Sequence, residues 1–129
     1  MESYPHVIID NEAGMEHMSR LVTQDVDVLY VVSDPTPRGI LTASRILSII
    51  NELGLHIGKI VVVVNRYHEK DGAALTKAAA QRGVAIGGTI RDDEALMRAD
   101  AAEKTVFELE PASDSLVDSY AIFDKTIGG

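Results

Sequence analysis

The sequence contains no cysteine among its 129 residues. This excludes disulfide bonds, thiolate zinc sites and thiol nucleophiles. It also lacks an apolar run long enough for a transmembrane helix, and the longest run, around Ile60–Val64, has only the length of a strand. The first residues have neither the basic nor the apolar region of a signal peptide. These absences predict a cytoplasmic protein with no membrane span.

Basic residues are scarce: 12 Lys and Arg stand against 20 Asp and Glu, and the formal net charge is −8. A chain of this charge is repelled by a nucleic-acid backbone, so we expect no nucleic-acid partner. The remaining composition, with 46% hydrophobic and 25% charged residues, is typical of a globular protein. The length suits one core, so residues 1–129 are predicted to form a single domain.

Short β-branched runs alternate with longer helical windows along the whole chain. The predicted strands are His6–Asp10, Asp27–Ser33, Lys59–Asn65, Ala85–Ile90 and Thr105–Leu109. The predicted helices are Met15–Val22, Pro37–Leu53, Asp71–Arg82, Asp92–Ala99 and Ser113–Thr126. Such alternation is typical of a parallel sheet covered by helices. The sequence therefore predicts an α/β fold, with a mostly parallel sheet of about five strands and helices on both faces.

Polar residues follow each of the first four predicted strands. These stretches are Asp10–Gly14, Ser33–Gly39, Asn65–His68 and Arg91–Glu94. Because ligands of open α/β sheets bind beyond the carboxyl ends of the strands, all four stretches are expected to line one binding edge. Polar capping of the strand ends, with no ligand, is the alternative interpretation.

Individual residues at these strand ends suit parts of a bound nucleotide. Asp10 can bind magnesium through water, and the N–H of Gly14 can meet a terminal phosphate. Asn65 offers both a donor and an acceptor to the edge of a base. Arg91 can place its flat guanidinium against a ring, and Asp92 can accept hydrogen bonds from ribose hydroxyls.

Four segments, in order, resemble a known ATPase family. The DxEAG-x-EH stretch resembles the switch II region of the nickel-insertion accessory ATPases of carbon monoxide dehydrogenase (CooC-type). Its matching positions are Asp10, Glu12, Ala13, Gly14, Glu16 and His17. VVSDPTPRGILTASRI is similar to the strand, turn and helix that follow in that family, and VVVVNR to its adenine-contacting strand end. GGTIRDDEALMRAD resembles a segment of MinD-like ATPases and the nitrogenase iron protein, where a proline usually occupies the position of Ile90.

The resemblance implies an incomplete P-loop NTPase (Rossmann-like) fold and Mg-ATP as the cofactor of the parent family. It implies a nickel metallochaperone that forms a homodimer and serves a metalloenzyme client. Asp10 and Gly14 would be catalytic, with Asp10 binding magnesium through water. The residues implied for cofactor binding are Asn65, Arg66, Arg91 and Asp92.

Two motifs of that family are missing from the sequence: the GKGGxGK[ST] phosphate loop and the nickel-binding Cys-x-Cys. The loop amides and lysine bind and polarise the phosphates. We therefore expect the chain to correspond to the C-terminal half of such an ATPase, as a fragment or a truncated gene product. Alone, it should not hydrolyse ATP and need not bind a nucleotide at all. The alternative is a non-enzymatic α/β module for self-association or partner binding.

Overall fold

The computed structural model describes residues 25–94, 98, 101 and 113–127. The elements with defined bounds are β1 (Asp25–Ser33), α1 (Pro37–Leu53), β2 (His56–Tyr67), the 3-10 turn Glu69–Asp71, α2 (Gly72–Arg82), β3 (Ile86–Arg91) and α3 (Asp114–Thr126). The predicted elements His6–Asp10, Met15–Val22 and Thr105–Leu109 lie outside the described residues, as does most of Asp92–Ala99. No helix in the described part is long and apolar enough to cross a membrane.

The described strands form one parallel sheet in the order β1-β2-β3. Val28 pairs with Lys59, Ser33 pairs with Val64, and Val64 pairs in turn with Thr89 of β3. The predicted α/β class and the parallel sheet are confirmed. Three strands are described against about five predicted, because two predicted strands fall on residues outside the described ranges.

The centre of the sheet is the valine run 61–64 of β2, which is buried on both faces. Successive side chains of a strand point to opposite faces. Val62 and Val64 accordingly join the core under α1 and α2, while Val61 and Val63 pack with Ile122 of α3. Helices therefore cover both faces of the described sheet, as predicted.

The bounds of α1 agree with those predicted, because both ends carry local signals. Thr36 is the N-cap, and its hydroxyl accepts a hydrogen bond from the Gly39 N–H at 3.0 Å. Pro37 opens the first turn, where its missing N–H costs nothing. Gly54 ends the helix with a φ of 62°, a left-handed conformation that glycine adopts without strain.

Two other predicted bounds differ from the structure. β2 was predicted to end at Asn65 but continues to Tyr67, which pairs with Arg91 of β3. Its polar last residues hid this continuation in the sequence pattern. The second helix was predicted to begin at Asp71. Instead, Asp71 closes the 3-10 turn, and α2 begins at Gly72.

Helix α3 is held on the sheet by side chains at the end of β3. Asp118 Oδ2 accepts hydrogen bonds from the backbone N of Arg91 at 2.8 Å and from its Nε at 2.9 Å. Asp114 lies 3.2 Å from the same guanidinium. Asp93 is buried and accepts from the backbone N of Ser115 at 3.1 Å and from its hydroxyl at 2.6 Å. Ser113 occupies the predicted N-cap position, but its side chain makes no capping hydrogen bond.

The ion pair between Arg91 and Asp118 shifts the titration of both groups. Burial raises the pKa of Asp118, but the hydrogen bonds from the side chain and backbone of Arg91, with its positive charge, outweigh burial. The pKa of Asp118 therefore lies below its ordinary value of 3.8. The hydrogen bond to Asp118 raises the pKa of Arg91.

The close approach of α1 to the end of β1 predicts that Gly39→Ala destabilises the fold. An added Cβ would lie 2.6 Å from the backbone oxygen of Asp34 and 2.6 Å from Ser33 Oγ. Backbone atoms cannot move aside cheaply, so we expect a loss of about 1–3 kcal/mol in the free energy of unfolding. Urea denaturation measures it. Arg45→Ala, at an exposed position of the same helix, is the control and should change stability by about 0.5 kcal/mol or less. Equal stability of the two variants would contradict this account of the α1–β1 contact.

The lowered pKa of Asp118 predicts a dependence of stability on pH. Because the folded pKa lies below the unfolded one, the carboxylate stabilises the fold above pH 3.8 and loses this effect as pH falls through the folded value. Asp118→Asn should be less stable than wild type at neutral pH and should lose less stability on acidification below about pH 4. Thermal melts across this range measure both effects. In an Arg91→Ala background the effect of Asp118→Asn should shrink, and identical acid slopes for wild type and Asp118→Asn would refute the assignment.

Candidate functional site

The carboxyl ends of β1, β2 and β3 meet at one edge, because the three strands are parallel. The residues that follow them form two neighbouring grooves of about 360 Å³ each. The first groove is lined by Tyr67, His68, Glu69, Thr89, Arg91, Asp92, Asp114 and Asp118. The second is lined by Asp34, Pro35, Thr36, Arg66, His68, Lys70, Asp71 and Asp92. We call this edge the rim.

Asp92 and His68 stand where the two grooves meet, since both residues line both of them. His68 Nε2 lies 2.9 Å from Asp92 Oδ2, and the backbone N of Asp92 donates to the carbonyl of Tyr67 at 3.1 Å. Arg66 Nε lies 4.0 Å from the other carboxylate oxygen of Asp92. These contacts tie the end of β2 to the end of β3.

The end of β2 departs from regular strand geometry at Asn65 and Arg66. Between the pairs Val64–Thr89 and Tyr67–Arg91, these two residues of β2 face only Ile90 of β3, which is the pattern of a β-bulge. Arg66 has a φ of 56°, in the left-handed region that residues other than glycine rarely adopt. Strained backbone of this kind clusters at ligand-binding and active sites.

The structure places four of the predicted site residues at or beside the rim. Asn65 and Arg66 form the bulge, and Asp92 lies between the grooves. Arg91 lines the first groove, but its guanidinium is already paired with Asp114 and Asp118. The predicted catalytic and magnesium-binding positions, Asp10 and Gly14, lie outside the described residues.

Sequence reasoning missed two partners of these residues, Asp114 and Asp118. They follow β3 by more than 20 positions, and nothing local in the sequence links them to Arg91. The pairing of His68 with Asp92 was also missed, although both residues lay in the polar stretches that the strand-end argument identified. A helical spacing of four between Asp114 and Asp118 was the available signal for a shared partner.

The rim suits the base and ribose of a nucleotide better than it suits a metal. Within the described ranges, no cluster of three or more His, Asp or Glu side chains could hold a metal ion. The amide of Asn65 can hydrogen-bond to a base edge, and the carboxylate of Asp92 is about one quarter exposed, so it can accept from a ribose hydroxyl. Arg91 can reach a ring only by giving up contacts with α3.

Comparison with protein-family models finds no match. Three curated proteins are similar in sequence. Two are ATP-binding proteins of Methanocaldococcus jannaschii: one is 38% identical over 89 residues, covering 69% of this chain and 35% of that protein. The other is 31% identical over 101 residues, covering 78% and 38%. The third is the carbon monoxide dehydrogenase accessory protein CooC of Rhodospirillum rubrum, 32% identical over 106 residues, covering 82% and 39%.

The chain thus spans between a third and two fifths of the length of these curated relatives. Among solved structures, the MinD cell division protein of Aquifex aeolicus matches the fold with a TM-score of 0.63 and 18% identity, over 80% of this chain and 44% of that one. The sequence and fold comparisons agree with each other and confirm the resemblance that the motifs indicated. The chain belongs to the MinD-like P-loop ATPases, with CooC among its relatives.

Proposed function

We propose that this chain is the nucleoside-facing part of a metallochaperone-type ATPase, one that inserts nickel into carbon monoxide dehydrogenase or acts in a related metalloenzyme maturation. The observation that carries the proposal is the rim, where Asn65, Arg66 and Asp92 share one edge in a chain related to ATP-binding proteins. The similarity to CooC supports the metal-insertion role. The sequence carries no phosphate loop and corresponds, on this proposal, to the C-terminal half of the ATPase.

Each rim residue has a defined task in this proposal. Asn65 pairs with the edge of the adenine, and the strained bulge at Arg66 fixes the backbone that carries it. Asp92 accepts hydrogen bonds from the ribose, while His68 holds its carboxylate in place. Arg91 acts through the backbone: its ion pairs with α3 hold the end of β3 against the groove. Mg-ATP supplies the phosphoanhydride bond that the parent family hydrolyses, and Asp10 and Gly14 are proposed to meet its magnesium and terminal phosphate.

The proposal also covers the setting of the protein. We place it in the cytoplasm as a homodimer that serves a metalloenzyme client. The absence of cysteine, the absence of a membrane-spanning helix from the described part and the relationship to CooC and MinD support this setting.

One observation favours a second function, a non-enzymatic module for self-association or partner binding. Arg91, which was predicted to contact the nucleotide, has its charge neutralised by two carboxylates of its own chain. On this alternative the rim residues only join strand ends to each other and to α3, and they contact no ligand.

The missing phosphate loop predicts how the isolated chain responds to nucleotide. Isothermal titration with Mg-ATP should give at most millimolar affinity, and a phosphate-release assay should detect no turnover. The reason is that the loop amides and lysine provide most of the phosphate contacts. Adenosine is the matched control ligand and should bind as weakly as Mg-ATP, because the phosphates add little. A micromolar dissociation constant for Mg-ATP, or measurable phosphate release, would contradict the proposal.

A further inference from the structure

Helix α3 presents two chemically different flanks beside its buried face. Successive helical residues are rotated by about 100°, so positions three and four apart share a side. Ser115 and Ile122 point into the fold, and Asp114 and Asp118 face Arg91 on the side of β3. Tyr120, Phe123 and Ile127 follow each other at spacings of three and four on the other flank.

This second flank lies on the side of β1. The ring of Phe123 meets the ring of Tyr30 edge-on, with centroids 5.5 Å apart and an angle of 74° between the planes. The hydroxyl of Tyr30 also hydrogen-bonds to the hydroxyl of Thr126, one turn from Ile122. Val32 follows Tyr30 by two positions on β1, so both side chains are on the face that α3 covers.

The side chains of this region are unusually exposed for their type. Val32 is 63% exposed, Tyr120 59%, Phe123 45% and Ile127 44%. We call these four residues the apolar flank. None of them carries a charge, whereas the chain as a whole has a net charge of −8. An exposed contiguous apolar surface is typical of a protein–protein contact.

We propose that the apolar flank is the surface through which two copies of this chain associate. The inference rests on the homodimer proposed above and adds the residues that form it. Charge favours a second copy as the occupant. Two chains that each carry −8 repel one another through most of their surfaces, but they can bring uncharged flanks together without placing like charges in contact.

The composition and size of the flank fit a symmetric, modest interface. Aromatic side chains are enriched in interface centres, and in a two-fold dimer the same patch serves both copies, so Tyr120 and Phe123 can pack on their equivalents. Four partly exposed side chains on each copy bury less than the roughly 1,200–2,000 Å² of a stable interface. The dimer is therefore concentration-dependent, and it dissociates on dilution.

Sedimentation equilibrium of the full chain over a concentration series tests the surface. Wild type should shift from monomer to dimer with increasing concentration. Tyr120→Glu should weaken the dimer by roughly tenfold or more, because it places a charge in the centre of each patch. Leu53→Glu is the matched control: Leu53 is 41% exposed at the end of α1, a helix on the opposite face of the sheet, and should leave the dimer within about twofold of wild type. Thermal melts confirm that both variants fold.

Cross-linking gives an independent measurement, because the chain has no cysteine of its own. Tyr120→Cys should form disulfide-linked dimers under mild oxidation at concentrations where Leu53→Cys does not. A dimer that survives Tyr120→Glu unchanged would overturn the assignment of the surface and leave the homodimer standing. A wild-type chain that stays monomeric at high micromolar concentration would overturn both, and the nucleotide proposal, which is tested by titration, would be unaffected.

Discussion

Burial of the valine run 61–64 on both faces of β2 is the constraint that organises the described part of the fold. A strand with apolar side chains on both faces needs a layer of helices on each side. The two layers are unequal. Val62 and Val64 join a large core with Ile40, Ala43 and Leu75, whereas the second buried cluster consists of Val61, Val63 and Ile122. Helix α3 therefore gains less from hydrophobic burial than α1 and α2 do, and it depends on other contacts to stay on the sheet.

Those contacts come from the end of β3 and from one glycine. Gly88 allows α3 to lie close, since a Cβ there would approach Ile122 Cγ1 to 2.7 Å. Arg91 pairs with two carboxylates of α3, and Asp93 accepts from the first turn of that helix. Asp92, between them in sequence, turns the other way and binds His68 at the end of β2. Three consecutive residues thus fix α3 and the rim together, so substitutions of Arg91 are expected to affect stability as well as binding.

This arrangement bears on the two proposed functions. The residues best placed to meet a base and a ribose are Asn65 and Asp92, because Arg91 is occupied by α3. The strained φ of Arg66 is harder to explain if the rim only joins strand ends, since a regular strand end would do so without strain. The nucleoside-facing interpretation accounts for both the strain and the similarity to ATP-binding proteins.

The sequence predicted what depends on local signals and missed what depends on distant partners. The bounds of α1 followed from Pro37, the apolar periodicity and Gly54, and all of these lie within or beside the helix. The α/β class followed from the alternation of patterns. The bulge could not be predicted, because a left-handed residue is normally announced by glycine or asparagine and here it is Arg66. The pairing of Arg91 with Asp118 spans 27 positions, and neither residue alone indicates it.

The most direct test of the nucleoside-facing rim is a backbone NMR titration of the isotope-labelled chain with adenosine at millimolar concentrations, where weak binding is visible. The account predicts saturable shifts of the amide signals of Asn65, Arg66, Thr89 and Asp92, and no shifts at the opposite end of the sheet, near His56 and Ile86. Shifts that are absent at saturating adenosine, or that cluster away from the rim, would contradict the account and favour a module that binds proteins only.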